Sequence, residues 1–446
     1  MKIINPRVIA VKTLTAITHK KRFMKEVLEE NLNGVPREQR AYVNRTVRGV
    51  VENLSYLDGI LEKLSRIKLK KLREADRNIL RLGLYEILFM DHIPDYATVN
   101  ESQRLMKKSN PSLVGFANGL LRNVSKNRKS IIEEFEGTLK DTPEDLAVKY
   151  SHPAWLMARW IRDFGLENTK RMAELNNTPP PVFIRLNPLK TDLNRLMAAL
   201  AGEGVKVQPA PLNPQALLVE SADISLLAGT RGFAGGLFTI QSLSSMLIAP
   251  LMDLKPGLRV LDLCAAPGSK TTHIAELMQG TGEVVARDIS RGKLARIQEN
   301  VDRLKLDNVR IQLGDATVQD PGSFDAFDRI LLDAPCSGLG IIRRKGDIKW
   351  NRETGDIPAL RKIQRNMINN AAKYVKIGGV ILYSTCTLEV MENQGVIEEF
   401  LATHENFVMD SISEIDDAFI REGMLVVTPH EHGMDGFFAC RLKRIG

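Results

Sequence analysis

The sequence is poor in cysteine and has no long apolar run. Its 446 residues include four cysteines, Cys264, Cys336, Cys386 and Cys440, and none of them forms a C-x-x-C pair. This spacing argues against a disulfide framework and a thiolate zinc site, so we predict no metal. No run reaches the roughly 18 consecutive apolar residues that cross a bilayer. We therefore expect a soluble, cytoplasmic protein with no membrane partner.

Positive charge is concentrated in the first part of the chain. Residues 1–130 hold 26 Lys and Arg against 13 Asp and Glu, whereas the whole chain has a net charge of +8. A basic module joined to a mildly acidic remainder favours a polyphosphate partner such as RNA, because neutralised phosphates release counterions. The alternative is a helical surface whose charges are simply solvated.

Hydrophobic periodicity predicts a multidomain protein with three parts. Residues 1–130 show helical spacing, as in Asp76–Phe89, and predict an all-α bundle. Residues 140–236 contain the strand-like segments Val182–Asn187 and Ala216–Glu220 around a helix at Leu193–Leu200, which predicts a small α+β domain. Residues 237–446 alternate strands with amphipathic helices, which predicts an α/β Rossmann-like domain.

Five candidate strands define the predicted parallel sheet of the third domain. With strand order 3-2-1-4-5, ligands bind beyond the carboxyl ends of the strands, near the switch point between strands one and four. We therefore expect the polar residues at those ends to form one site. In chain order the strands are Arg259–Leu263, Glu283–Arg287, Val309–Leu313, Arg329–Leu332 and Val380–Tyr383.

The turn after the first strand is a candidate cofactor site. It leads into a helix whose unpaired N–H groups can hold an anionic group, although it lacks the glycine spacing of a P-loop. Asp288 ends the second strand, where it can accept hydrogen bonds from a ribose, and Asp315 follows the third strand, where it can meet an adenine amino group. Each aspartate could instead cap a loop. The turn residues are Cys264, Ala265, Ala266, Pro267, Gly268, Ser269 and Lys270.

Two thiols and a carboxyl group follow the fourth and fifth strands. Asp333 and Cys336 end the fourth, and Cys386 ends the fifth. Neighbouring strands lie about 4.8 Å apart, so both thiols should face one crevice. Carbon-5 of cytosine becomes nucleophilic only after a thiolate adds at carbon-6, which a cysteine beside a methyl donor can do. Cys264 and Cys440 are predicted to be structural, and a strand-end cysteine can also be a small apolar residue.

These motifs resemble those of the Nol1/Nop2/Sun family of cytosine-5 RNA methyltransferases, in the branch that modifies the RNA of the small ribosomal subunit. The matching segments are Leu261–Thr272, Asp333–Gly338 and Ser384–Cys386. The resemblance implies S-adenosylmethionine as cofactor, bound by the turn, Asp288, Asp315 and Asp333, with Asp333 also contacting the cytosine ring. It further implies that Cys386 is the nucleophile and that Cys336 assists product release. Cys336 lies in the P-C motif, Pro335-Cys336, and DNA enzymes of this chemistry attack with the cysteine of that motif instead.

The helical segment resembles NusB, notably in Ile79–Phe89 and Ile93–Glu101. A NusB-like RNA-binding domain before a methyltransferase implies a 16S rRNA substrate. We also expect a monomer. Two positions depart from the family pattern: Ser269 replaces a glycine in the cofactor loop, and Ser242 replaces an aspartate near the nucleotide pocket.

A basic stretch with one aromatic residue follows the P-C motif. Such a composition suits RNA phosphates and a stacked base, although a solvated helix start would look similar. Open alternatives for the whole chain are a tRNA substrate, a DNA substrate, or an RNA-binding scaffold for assembly or antitermination without activity. The residues of the stretch are Arg343, Arg344, Lys345, Lys349 and Trp350.

Overall fold

The computed structural model describes residues 5–210, 212–220 and 224–446 and divides into two compact units. The first unit comprises the chain up to Thr178 together with Ile342–Glu353, and the second comprises Pro179–Ile341 and Thr354–Gly446. The first unit is therefore discontinuous in sequence. Within the described residues, no helix has both the length and the apolar content needed to cross a membrane.

The first unit is helical in its described residues, as predicted. Its central helix α5 is buried over most of its length because apolar side chains occupy nearly all of its faces. Gly83 in this helix lets Leu121 approach, since a Cβ there would lie 2.8 Å from the leucine side chain. The helices are α1 Pro6–Lys20, α2 Met24–Leu32, α3 Arg37–Glu52, α4 Leu54–Leu64, α5 Glu74–Phe89, α6 Asp95–Ser109, α7 Val114–Glu136, α8 Pro143–Lys149, α9 Ala154–Phe164 and α10 Leu166–Asn176.

Pro94 lies directly before a helix. Helix α5 stops at Phe89, and Pro94 is the N-cap of α6, which starts at Asp95. A proline is tolerated just before a helix because the first N–H groups need no partner within it.

The second unit begins with a small antiparallel sheet of order β2-β3-β1-β4. The two strands and the helix predicted there are confirmed. Strand β4 pairs with β1 although it lies beyond residue 236, and helices α8 to α10 belong to the first unit although they lie beyond residue 140. The domain boundaries therefore remain predictions. The elements are β1 Val182–Leu186, α11 Leu193–Gly202, β2 Val207–Pro209, β3 Ala216–Val219, α12 Ile224–Ala228, α13 Arg231–Ala234 and β4 Phe238–Ile240.

A large mixed sheet forms the rest of the second unit. Its order is β11-β12-β13-β9-β8-β5-β6-β7, with β10 on β13. Helix α17 Ile348–Asn351 follows β8 in the chain but belongs to the first unit. The elements of the second unit are α14 Leu243–Met246, β5 Arg259–Asp262, α15 Ser269–Leu277, β6 Glu283–Asp288, α16 Arg291–Leu304, β7 Val309–Leu313, β8 Phe327–Asp333, α18 Asp356–Tyr374, β9 Val375–Thr385, α19 Gln394–Thr403, β10 Phe407–Met409, β11 Ile420–Arg421, β12 Met424–Val427, α20 Pro429–His432 and β13 Phe437–Arg444.

The parallel part of this sheet has the predicted order. Strands β7-β6-β5-β8-β9 reproduce 3-2-1-4-5. Successive residues of β5 point to opposite faces, so that Val260 packs in one core and Leu261 in the other. Both faces are buried, as a parallel sheet requires, and the carboxyl ends of β5 and β8 come together at the switch point.

Candidate active site

The two thiols after β8 and β9 meet at one end of the sheet. Parallel pairing of Asp333 with Ser384 brings the following loops side by side. The sulfur atoms of Cys336 and Cys386 lie 3.4 Å apart. Both side chains are partly exposed, so this is an accessible pair of thiols rather than a core contact. The sequence predicted that they would face one crevice, and the geometry agrees.

Cys336 is held in its protonated form. Its hydrogen bond with Cys386 and its burial both raise the pKa of the Cys336 thiol well above its usual value. The thiol is therefore available as a proton donor at neutral pH. Cys264 lies in the turn after β5, where burial raises the pKa of its thiol, and Cys440 is buried in β13.

Asp333 links the two sides of the site. One of its oxygens accepts a hydrogen bond from Lys270 Nζ at 2.6 Å, and the other accepts one from Ser384 Oγ at 2.9 Å. Burial by itself would lower the pKa of Lys270, but the charge and the hydrogen bond of Asp333, together with nearby acidic groups, outweigh burial and raise that pKa. The Lys270 ammonium also lies 5.0 Å from the centre of the Phe437 ring. The charged pair fixes the carboxylate beside the thiols.

The cofactor turn is built by backbone contacts between β5, β6 and α15. Ala265 N–H donates to Arg287 O at 2.9 Å. Gly268 adopts a φ of +102° directly before α15, a conformation that favours glycine. The turn therefore leads the first N–H groups of α15 to the carboxyl end of the sheet, where they can bind an anionic group.

Asp288 and Asp315 both cap local loops. Asp288 accepts hydrogen bonds from the backbone N–H groups of Ala266 at 3.3 Å and Ser290 at 3.2 Å. Asp315 accepts from both the backbone N–H and the hydroxyl of Thr317, at 2.8 and 2.6 Å. A carboxylate has about four acceptor positions, so these bonds leave capacity for a ligand. Loop capping and ligand binding are thus compatible at both positions.

Asp315 also lines a pocket of about 510 Å³ beside the ends of β5 and β7. Leu263, Gly314, Ala316 and Tyr374 contribute to its wall. A pocket of this size accommodates a small cofactor or part of one. The predicted adenine contact at Asp315 is therefore located next to open space.

Asp262 is a buried acid that the sequence reasoning did not assign. Thr271 Oγ1 donates to one of its oxygens at 2.7 Å, and the other has no hydrogen-bond partner among the described residues. Burial raises the pKa of Asp262 to about 7. Its place in the Leu261-Asp262-Leu263 run that matches the family motif was the available signal.

Glu392 connects the two cysteine loops, and it was also missed. Its Oε2 accepts hydrogen bonds from Ser337 N–H and from Gln364 Nε2, both at 2.9 Å. Its backbone oxygen accepts from the Tyr383 hydroxyl at 2.6 Å. The residue is fully buried, and its charge contributes to the raised pKa of Cys336. Nothing in a single sequence distinguishes this glutamate from the exposed acids that follow it.

A third feature that the sequence did not reveal joins the small sheet to the cofactor turn. The guanidinium of Arg185 is fully buried and pairs with Glu276 at 3.0 Å. It also donates to Ser269 O at 2.9 Å. Ser269 begins α15, and its carbonyl oxygen accepts this hydrogen bond from Arg185 of β1. Ser242 is the N-cap of α14, and its side chain makes no capping hydrogen bond.

The structure corrects part of the predicted RNA-binding stretch. Lys349 is fully buried within the first unit, where Nζ donates to Glu52 O at 3.0 Å, and burial lowers its pKa to about 7. The Trp350 indole donates to Val51 O at 2.7 Å and packs against the helical core. Lys349 therefore presents no surface for RNA, whereas Trp350 is only partly buried and its contact with RNA remains a prediction. Lys345 is exposed, and RNA contact by Arg343, Arg344 and Lys345 remains a prediction.

Comparison with protein families gives matches in all three parts of the chain. A model described as 16S rRNA methyltransferase RsmB/F matches residues 249–443, and the NusB family matches residues 4–126. The ferredoxin-like domain of RsmF/B-like methyltransferases matches residues 152–225. These matches agree with the three kinds of structure described above.

Several curated proteins are similar over nearly the full length. The probable ribosomal RNA small subunit methyltransferase B of Bacillus subtilis strain 168 is 34% identical over 100% of both chains. The ribosomal RNA small subunit methyltransferase B of Proteus mirabilis strain HI4320 is 32% identical over 99% of both. Among solved structures, PH0851 has a TM-score of 0.80 at 25% identity over 99% of both chains. NSun6 from Pyrococcus horikoshii with SFG has a TM-score of 0.57 at 25% identity, covering 66% of this chain and 98% of that one.

Proposed function

The chain belongs to the 16S rRNA methyltransferase RsmB/F family, and we propose that it methylates carbon-5 of a cytidine in 16S rRNA. Family membership makes it an S-adenosylmethionine-dependent RNA methyltransferase. The choice of cytosine, of carbon-5 and of a covalent route through Cys386 is our proposal. It is supported by the accessible thiol pair beside a charged Asp333–Lys270 pair.

The residues at the ends of β5 to β7 fit the proposed cofactor. The first N–H groups of α15 suit its carboxylate, Asp288 suits the ribose, and Asp315 borders a pocket suited to the adenine. The NSun6 structure holds SFG, an S-adenosylmethionine analogue, which supports the same cofactor class here. When bound, S-adenosylmethionine supplies an electrophilic methyl group.

In the proposed reaction Cys386 adds to carbon-6 of the base through its thiolate. The Lys270 ammonium stabilises that thiolate, and the interaction contributes to the raised pKa of Lys270. Asp333 holds the Watson–Crick edge of the ring and favours the addition. Addition makes carbon-5 nucleophilic, so it can accept the methyl group.

Release requires the bond between carbon-6 and sulfur to break. Removal of the carbon-5 proton by a base restores the aromatic ring and expels the Cys386 sulfur. Cys336 lies 3.4 Å away and is held protonated, so it can return a proton to that sulfur. The two thiols therefore have different tasks in the proposal.

Labelled methyl transfer tests the proposal. The full-length protein is incubated with S-adenosylmethionine and unmodified 16S rRNA, 23S rRNA, tRNA or DNA, with Cys386→Ala and Cys336→Ala compared with wild type. We expect 5-methylcytosine in 16S rRNA, no transfer by Cys386→Ala, and a denaturant-stable protein–RNA adduct in Cys336→Ala. The Cys440→Ala variant is the matched control, because that buried thiol lies in β13 and belongs to neither cysteine loop.

Other outcomes identify the alternatives. Transfer to tRNA alone would change the substrate but keep the chemistry. An adduct that depends on Cys336 instead of Cys386 would exchange the thiol roles, as in DNA enzymes. Absence of transfer to every nucleic acid, with the cofactor bound, would refute the proposal and favour an RNA-binding scaffold.

A further inference from the structure

A short segment of the first unit presents several cations and no acid. Between Arg66 and Arg73 the sequence has five basic residues. Leu69 and Leu72 are buried at 3% and 8% exposure, which fixes the backbone at a single 3₁₀ turn. Lys68, Lys70 and Lys71 are therefore directed outward and are exposed.

The end of helix α6 adds two further lysines to this surface. Asp76 is buried and accepts hydrogen bonds from Arg73 at 2.9 Å and from Ser109 Oγ at 2.6 Å. These bonds hold the segment against the carboxyl end of α6, where Lys107 and Lys108 are exposed. We call the resulting surface the basic patch; it consists of Arg66, Lys68, Lys70, Lys71, Lys107 and Lys108.

Several other cations of the same unit are ion-paired, unlike those of the basic patch. Arg22, Lys25 and Lys129 each pair with a glutamate. In the described part of the chain, none of the six patch residues forms a salt bridge. Like charges gathered without partners repel each other in the free protein, and the same arrangement becomes favourable when phosphates neutralise it.

The composition of the basic patch indicates which part of a nucleic acid it would contact. Five of its six cations are lysines, which act as point charges rather than as bidentate readers of bases. Its two segments, residues 66–73 and 107–108, contain no aromatic residue on which an unstacked base could lie. Contacts of this kind position RNA and contribute affinity without reading sequence.

We propose that the basic patch binds the phosphate backbone of the rRNA substrate. The inference rests on the proposed function for the identity of the RNA. The patch lies in the helical unit, and the thiols and the cofactor turn lie in the other unit. Its contribution is therefore to hold the RNA, and the choice of the cytidine belongs to the active site.

The test uses the full-length protein and a charge-matched control. The patch variant carries Lys70→Gln, Lys71→Gln and Lys107→Gln, and the control carries Arg22→Gln, Lys25→Gln and Lys129→Gln, so each loses three positive charges. Binding of a 16S rRNA fragment is measured by filter retention over a range of salt concentrations. Thermal unfolding of both variants verifies that they remain folded.

We expect the slope of log K against log salt to become shallower by roughly 2 to 3 in the patch variant, since each lost phosphate contact removes about 0.7 to 0.9. The KM for rRNA should rise in parallel, and the control should keep the wild-type slope. Equal slopes in all three proteins, or equal losses in both variants, would overturn the proposal. Patch-dependent binding to phosphatidylserine vesicles with no effect on RNA would also overturn it.

Methyl transfer by the same preparations separates the two proposals. If wild type methylates rRNA while the patch variant binds like wild type, the basic patch proposal fails and the proposed function stands. If binding depends on the patch but wild type transfers no methyl group, the proposed function fails and the patch stands.

Discussion

At the residue scale, Glu392 is the most informative side chain that the sequence did not reveal. It is acidic, and acidic residues are mostly exposed, so the sequence alone would place it in solvent. The structure buries it between the loops of Cys336 and Cys386. Its environment arises from strand register and loop packing, which local sequence does not specify.

Replacing Glu392 by alanine should damage both stability and methyl transfer. The change leaves the Ser337 N–H without its buried acceptor and removes one of the two acceptors of Gln364 Nε2, which also donates to Pro335 O. Each unsatisfied donor costs about 1 to 3 kcal/mol, so two of them should lower the free energy of unfolding by roughly 2 to 6 kcal/mol. Denaturant unfolding measures this loss. The change also frees the loop that carries Cys336, and the rate of single-turnover methyl transfer measures the effect of that on activity.

Two further variants test the explanation. Glu392→Gln keeps an oxygen acceptor and should retain more stability and activity than the alanine variant. Glu398→Ala removes an exposed acid from α19 and should change neither quantity. A Glu392→Ala protein as stable and active as Glu398→Ala would show that the buried carboxylate does not support the loops.

The predicted site residues that the structure brings together share one property. Lys270, Asp333, Cys336 and Cys386 all lie at the carboxyl ends of parallel strands or directly after them, and strand order alone brings such positions together. Lys349 lies after the same loop, but its neighbours come from the helical unit. A charged residue in a polar stretch is usually solvated, so its burial was not predictable from the sequence.

At the element scale, the parallel strands were predictable and several antiparallel ones were not. Strands β5, β6 and β8 are buried on both faces at their centres, where each has an uninterrupted apolar run of two or three residues. Strands β4 and β10 have three residues each, too few for alternation to be recognised, and they are defined by pairing with β1 and β13. Short strands depend on their partners more than on their own sequence.

The segment 342–353 should give the helical unit a pH-dependent stability. Lys349 has a pKa of about 7 in the folded protein, whereas an unfolded lysine has a pKa of about 10.4. Between these values the unfolded state binds more protons, so the free energy of unfolding should rise with pH by up to about 1.4 kcal/mol per unit. Below pH 7 both states are protonated and the dependence should disappear.

Tryptophan fluorescence can follow this transition because Trp155, Trp160 and Trp350 all lie in the first unit. Urea unfolding of wild type and Lys349→Met is compared from pH 6 to pH 10. The methionine variant should lack the rise, whereas Lys345→Met, which changes an exposed residue of the same segment, should keep it. Identical pH profiles for wild type and Lys349→Met would contradict a buried, titrating lysine.

At the scale of the whole molecule, the helical unit is completed by residues from far along the chain. The Asp347 carboxylate accepts a hydrogen bond from Met24 N–H at 2.7 Å, and so caps α2, whose own N-cap Phe23 has no side chain able to do so. Trp350 packs against the helical core and bonds to Val51. A domain division read along the sequence could not include this segment, because periodicity reports only local neighbours.

A fragment of residues 1–178 should therefore be less stable alone than with a synthetic peptide of residues 342–353. The fragment lacks the cap of α2 and leaves the Val51 carbonyl without the Trp350 donor. A ligand that binds only the folded state at 100 times its Kd stabilises it by about 2.7 kcal/mol, so the peptide should raise the thermal midpoint in proportion to the logarithm of its concentration. A peptide carrying Trp350→Ala serves as the control and should raise it less. If neither peptide shifts the midpoint, residues 342–353 do not complete the helical unit, and their contacts in the intact chain follow from tethering alone.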